Sequence, residues 1–122
     1  MRATDTFLAV VTIGTGVMLI LFWSIVVASG RLGRLAGARR DFGWHLAAEY
    51  VTGALLIAGG IGIATEASWG TAAAGIGLGA LVYAIVESPG HYLTTGLRPI
   101  AVLLGGTWVV VVPAAVLLLS RA

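Results

Sequence analysis

Long apolar stretches separated by a few charged positions dominate this chain. Positions 6–30, 50–65, 67–86 and 99–120 contain no Asp, Glu, Lys, Arg or His, and they run for 25, 16, 20 and 22 residues. A helix needs roughly 20 apolar residues to cross a hydrocarbon core of about 30 Å. The first, third and fourth runs reach that length. The second covers only about 24 Å at about 1.5 Å per residue. To span, it must extend back through Glu49 towards Trp44, so Glu49 is expected inside the membrane or at its edge. The runs are continuously apolar rather than alternating, which argues for helices and against the strands of a barrel.

The pattern predicts four helices, over about 7–29, 44–65, 69–86 and 99–120. The turn Glu66-Ala67-Ser68 is too short for anything but a tight antiparallel hairpin of helices two and three. The connection 30–43 holds Arg31, Arg34, Arg39, Arg40 and Asp41 among glycines, which disfavour a stable helix there. Asp41 reads as a cap for helix two. Pro113 predicts a kink in helix four. The expected fold class is therefore all-α: one polytopic membrane domain over 1–122, an integral membrane four-helix bundle.

Composition sharpens this. The chain is 59% hydrophobic and 10% charged, whereas soluble domains carry about 25% charged residues. An ordinary soluble globule and a disordered chain are both excluded. Seven arginines and no lysine cannot build the broad basic face that a nucleic-acid partner needs. The absence of cysteine removes disulfide and iron–sulfur chemistry. The first apolar run is longer than the 7–15 residues usual in a signal peptide, and its only basic neighbour, Arg2, stands beside Asp5. It reads as a span, although Val26-Val27-Ala28 offers a small-residue cleavage pattern.

Charge also gives an orientation. Arg31, Arg34, Arg39, Arg40 and Arg98 fall on one side, and Arg2 and Arg121 on the other. The positive-inside bias places connections 30–43 and 87–98 in the cytoplasm and both termini outside. Trp44 and Trp69 mark opposite ends of the hairpin, as interfacial aromatic belts do. Trp108, near the middle of helix four, fits no belt.

Eighteen glycines are too many for loops alone. In helix three, Thr71, Gly75 and Gly79 recur every fourth residue, followed by Tyr83 and Glu87. In helix two, His45, Glu49, Gly53 and Gly60 lie near one face. Small residues in such lines let helices approach closely in a membrane, so Thr71, Gly75, Gly79, Gly53 and Gly60 are expected to pack.

The candidate chemistry is a polar cluster. Glu49 lies about 25 Å before the hairpin turn and Glu87 about 27 Å after it, at the helical rise per residue. The two carboxylates reach similar depth on neighbouring helices, with His45 and His91 next along the chain. Imidazole and carboxylate can hold a divalent metal, so His45, Glu49, Glu87 and His91 form a candidate ligand set. Two histidines also allow haem, and neither cofactor is favoured. Pro89 argues against a regular ligand spacing, because it should end helix three near Ser88 and leave His91 on an irregular segment. A carboxyl group withdrawn from water is costly to ionise, the property used in proton or cation exchange. Glu49, Glu87, Tyr83 and Arg98 are the candidates for that role. Mutual pairing of Glu49, Glu87 and Arg98 is the structural alternative.

No phosphate loop, nucleophile elbow or zincin signature occurs. The sequence thus favours a non-enzymatic protein of the lipid bilayer, either a homo-oligomer or an accessory subunit of a larger membrane protein. A small proton- or cation-handling transporter or channel, or a metal- or haem-binding membrane protein, built on Glu49, Glu87, His45 and His91, is the alternative.

Overall fold

The computed structural model describes residues 2–30, 42–94, 96 and 98–120, with the backbone alone for 87–92 and 94. Every regular element among them is helical: α1 (Ala3–Ala28), α2 (Phe42–Ala64), α3 (Gly70–Thr94), α4 (Arg98–Gly106) and α5 (Trp108–Ser120). Three helices are long and apolar enough to cross a membrane: α1, α2, and α4 with α5 taken together as Arg98–Ser120. In α3 the apolar part is shorter, Gly70–Val86.

Element ends depart from the apolar runs where local hydrogen bonding overrides them. α1 starts at Ala3, four residues before the expected boundary, because Asp5 accepts a bond from the Arg2 amide at 3.3 Å. A carboxylate at the third helical position satisfies an amide that the helix leaves open and favours the positive end of its dipole. α1 ends at Ala28 with Ser29 as its cap, and the chain turns away at Gly30, whose φ of 73° is open to glycine at little cost. α2 runs without interruption through Glu49, as the length argument requires. Its C-terminus closes with Glu66 N–H donating to the Ile63 carbonyl at 3.1 Å and Ala67 N–H to that of Gly62 at 2.8 Å. These two bonds reverse the chain and set the hairpin.

Helix three is the main correction. It continues past Ser88 and Pro89 to Thr94, so the backbone at His91 is helical rather than irregular. Pro89 has no N–H, which leaves the carbonyl four residues earlier, that of Ile85, without its helical donor. Trp108 supplies one: its Nε1–H donates to the Ile85 carbonyl at 2.9 Å. A buried carbonyl so satisfied removes part of the penalty that would otherwise end the helix. The bond also accounts for a tryptophan placed away from any interfacial belt. Trp108→Phe is expected to destabilise the chain by about 1–3 kcal/mol, the cost of leaving such a group unmet. In a Pro89→Ala background, which restores the N–H, the same change should cost much less. Thermal midpoints of the four variants in mild detergent measure this, and equal costs in both backgrounds would rule the explanation out.

The stretch Arg98–Ser120 breaks at Thr107, not at Pro113, through which α5 continues. Two glycines precede the break, and Thr107 Oγ1 donates to the Leu104 carbonyl at 2.6 Å. A hydroxyl bonded to the preceding turn competes with the regular ladder.

α2 packs against both α1 and α3, and α3 against α4 and α5. Close approach is concentrated at glycines. A Cβ on Gly16 would lie 2.7 Å from the Gly53 carbonyl oxygen, and one on Gly60 would meet Thr12 and Ile13. Across the hairpin, Gly59 faces the backbone of Ala74, and Gly62 faces Gly70 and Trp69. Gly53 and Gly60 thus stand where α2 comes close to α1. The line through helix three does not behave as one seam. Thr71 is half-buried, a Cβ on Gly75 would touch only Leu118 at 3.6 Å, and Gly79 faces open space. Steps of four residues overshoot one helical turn by about 40°, so this line winds outwards and Tyr83 is 71% exposed. The inner face of α3 runs instead through Gly70, Ala74, Gly77, Leu78, Leu81 and Ile85.

The main core joins Leu8, Leu56, Ala74, Leu78, Val111 and Leu118. A second core, around Trp23, Val26, Phe42 and Ala101, lies where α1 ends and α2 and α4 begin. The outside is apolar too: Val10, Ile25, Val51, Ile76, Val102, Val109 and Leu119 are all exposed. Such a surface suits lipid as the surrounding solvent.

Candidate functional site

The second core contains a charged side chain. Glu49 stands two turns into α2 and is only 7% exposed. Burying a carboxylate is costly unless donors meet it. Trp23 of α1 donates from Nε1 to Glu49 Oε2 at 3.2 Å. One turn earlier on α2, His45 Nε2 lies 3.6 Å from Oε1, with its side chain 11% exposed. The i, i+4 spacing places both groups on the helix face that meets α1. This contact strengthens when the imidazole takes up a proton, because it then becomes an ion pair.

Aromatic rings enclose the pair. Trp23 meets His45 edge-on with ring centres 5.9 Å apart, and Phe42 stacks on His45 at 5.0 Å. Phe22 and Phe42 also meet Trp23 edge-on. Tyr50 and Ser24 share a hydrogen bond at 2.9 Å, a further tie between α1 and α2. Among the described residues, the imidazole and the carboxylate are thus held by packing on two helices.

Glu49 also lines a cavity of about 70 Å³, with walls from α1, α3 and α4. At about 30 Å³ per water, that admits two waters or a short apolar chain. Phe22, Trp23, Leu81, Ala84 and Ile85 form its inner walls. Met18 and Leu103, which also line it, are 49% and 59% exposed and mark its opening between α1 and α4. The cavity therefore faces the apolar outside of the bundle while carrying a carboxylate in its wall.

The other candidates are distributed differently. The exposed Tyr83 is not part of the cavity lining, and Arg98 is exposed at the start of α4. The side chains of Glu87 and His91 lie outside the described residues. Among the described residues, no three His, Asp or Glu side chains gather as a metal site. Of the four candidate ligands, His45 and Glu49 are brought together.

Trp23 and Trp108 make hydrogen bonds between helices that the sequence pattern did not predict. A tryptophan inside an apolar run reads as packing, and its N–H acquires a role only once the acceptor on another helix is known. For Trp108 there was a signal: it fits no belt, and Pro89 leaves a carbonyl needing a donor.

A family model described as "Domain of unknown function (DUF8058)" matches residues 2–122. No curated protein and no solved structure matches the chain.

Proposed function

We propose that this chain, which belongs to the DUF8058 family, is a non-enzymatic, multi-pass four-helix membrane protein that handles protons or cations at Glu49. The four spans are α1, α2, α3, and α4 with α5. The arginine bias supports cytoplasmic connections at 30–43 and 87–98, with both termini outside.

The observation that carries the reading is Glu49 itself: a carboxylate buried within an apolar helix, in contact with an imidazole and facing a cavity. An ionisable residue inside a membrane is expensive, and its usual use is in an ion or proton path. His45, nearer the start of α2, exchanges protons with the cytoplasmic side. Glu49 receives them and presents them to the cavity. Trp23 fixes the carboxylate, so that a change of protonation is not followed by collapse of the side chain into another position. The test is proton flux through the chain reconstituted in lipid vesicles, which Glu49→Gln should abolish.

A second reading, a homo-oligomer or an accessory subunit of a larger membrane protein, is favoured by the fourth span. Only 17% of its most apolar stretch is buried inside the chain, and Gly105 and Gly106 face open space. Two adjacent uncovered glycines permit close approach of another helix. The mass of the purified protein in mild detergent tests this. The reading requires a multimer or a co-purifying partner, and a strict monomer would end it.

A further inference from the structure

We propose that the cavity beside Glu49 is a binding site for the end of a bilayer lipid's acyl chain, which enters sideways between α1 and α4. The site asks nothing of the Glu49 charge and goes beyond the proton reading.

The lining selects hydrocarbon. Phe22, Leu81, Ala84, Ile85 and Leu104 supply apolar wall, and the polar side chains among the lining residues are Trp23, Glu49 and Thr107. Each of these is engaged within the chain. Trp23 Nε1–H donates to Glu49 Oε2 at 3.2 Å, and His45 stands 3.6 Å from Oε1. Thr107 Oγ1 donates to the Leu104 carbonyl at 2.6 Å. Tryptophan and threonine have one side-chain donor apiece, so both are committed. A buried water typically makes about three hydrogen bonds, and waters here would find few. A hydrocarbon segment forgoes none, and it supplies the dispersion contacts that an unfilled gap lacks. Cavities with apolar walls stay dry and take up apolar molecules for this reason.

The opening selects a single flexible chain. Met18 and Leu103 are exposed on the apolar outer surface, and α1 and α4 do not approach each other closely. A lipid tail therefore reaches the cavity without crossing water. A helix of another copy would rest on Met18 and Leu103 and be held at the rim, whereas an unbranched chain passes between them. The volume of about 70 Å³ encloses only the chain's end, with the remainder left among neighbouring tails. On the proposed reading of Glu49, proton exchange through this space takes place when the chain withdraws; that consequence alone rests on the reading.

The test uses the full chain in phosphatidylcholine vesicles containing a small fraction of phosphatidylcholine with a diazirine at the end of one acyl chain. After illumination, mass spectrometry locates the adducts. Adducts are expected on Leu81 and Ile85, which are only 5% and 2% exposed, as well as on outward residues such as Ile76. A lipid with the diazirine on its headgroup should leave Leu81 and Ile85 unlabelled. Ala84→Leu and Ala84→Phe, which fill the cavity, should remove the adducts at Leu81 and Ile85 and keep those at Ile76. Circular dichroism confirms that each variant is folded, and the comparison of the two probes on the unmodified protein needs no variant. Adducts confined to exposed residues, as when water or a side chain of a second copy fills the space, would overturn the inference. So would equal interior labelling by the headgroup probe, or interior adducts that persist in both folded variants. Proton flux in the same vesicles separates the two proposals. Flux without interior adducts overturns this inference alone, and interior adducts without flux overturn the proton reading alone.

Discussion

Gly59→Ala is expected to destabilise the chain by about 2–3 kcal/mol, while Gly79→Ala in the next helix should be neutral or stabilising by up to about 1 kcal/mol. Both changes add one methyl group to a glycine inside a helix. Intrinsic propensity alone would favour alanine at each position. The difference lies in what the methyl meets. At Gly59 it would run into the backbone of Ala74, with the Ala74 Cβ also only 2.8 Å away. Backbone cannot rotate aside as a long side chain can, so α2 and α3 must separate. That separation disturbs Leu56, Ala74 and Leu78, which belong to the main core. At Gly79 the methyl would meet nothing within 4 Å. Thermal midpoints in the same mild detergent measure both variants. A stable Gly59→Ala would mean that the hairpin is not held at this contact.

The spans were legible because their cause is local. A continuous apolar run of sufficient length has one inexpensive conformation in lipid, with every backbone group bonded internally. The shortness of the second run also placed Glu49 inside a helix before any contact was known. Helix ends were less legible. Asp5 extends α1 through one hydrogen bond to the Arg2 amide, which hydropathy does not register. Pro89, expected to stop the helix near Ser88 through its restriction on the preceding residue, does not stop it. The donor that replaces its missing N–H, Trp108, is 23 positions away from Ile85 along the chain. A single sequence offers no means of pairing them. The same limit applies to the site. The i, i+4 relation of His45 and Glu49 is a helical repeat and was visible. Trp23, which completes the contact, belongs to another helix. The line Thr71, Gly75, Gly79 was seen as a repeat, but which residues of a helix face inwards is set by its neighbours, and there the repeat drifts outwards.

Loss of proton flux in Glu49→Gln is the largest functional effect expected. Glutamine keeps the shape of the side chain and one carbonyl acceptor for the Trp23 N–H, so the tie between α1 and α2 persists. It cannot ionise, so it neither takes up nor releases a proton. It also cannot form an ion pair with His45. Fold and function should therefore separate in this variant: helical content retained, transport gone. Glu66 serves as the internal control. It is an exposed carboxylate in the hairpin turn, and Glu66→Gln should leave flux unchanged. Proteoliposomes loaded with a pH-sensitive dye, given an imposed proton gradient and matched for protein content, report the flux directly. Dissipation by the unmodified chain and by Glu66→Gln, with Glu49→Gln no faster than empty vesicles, is the predicted result. Equal dissipation by Glu49→Gln and the unmodified chain, or none by either, would contradict the account.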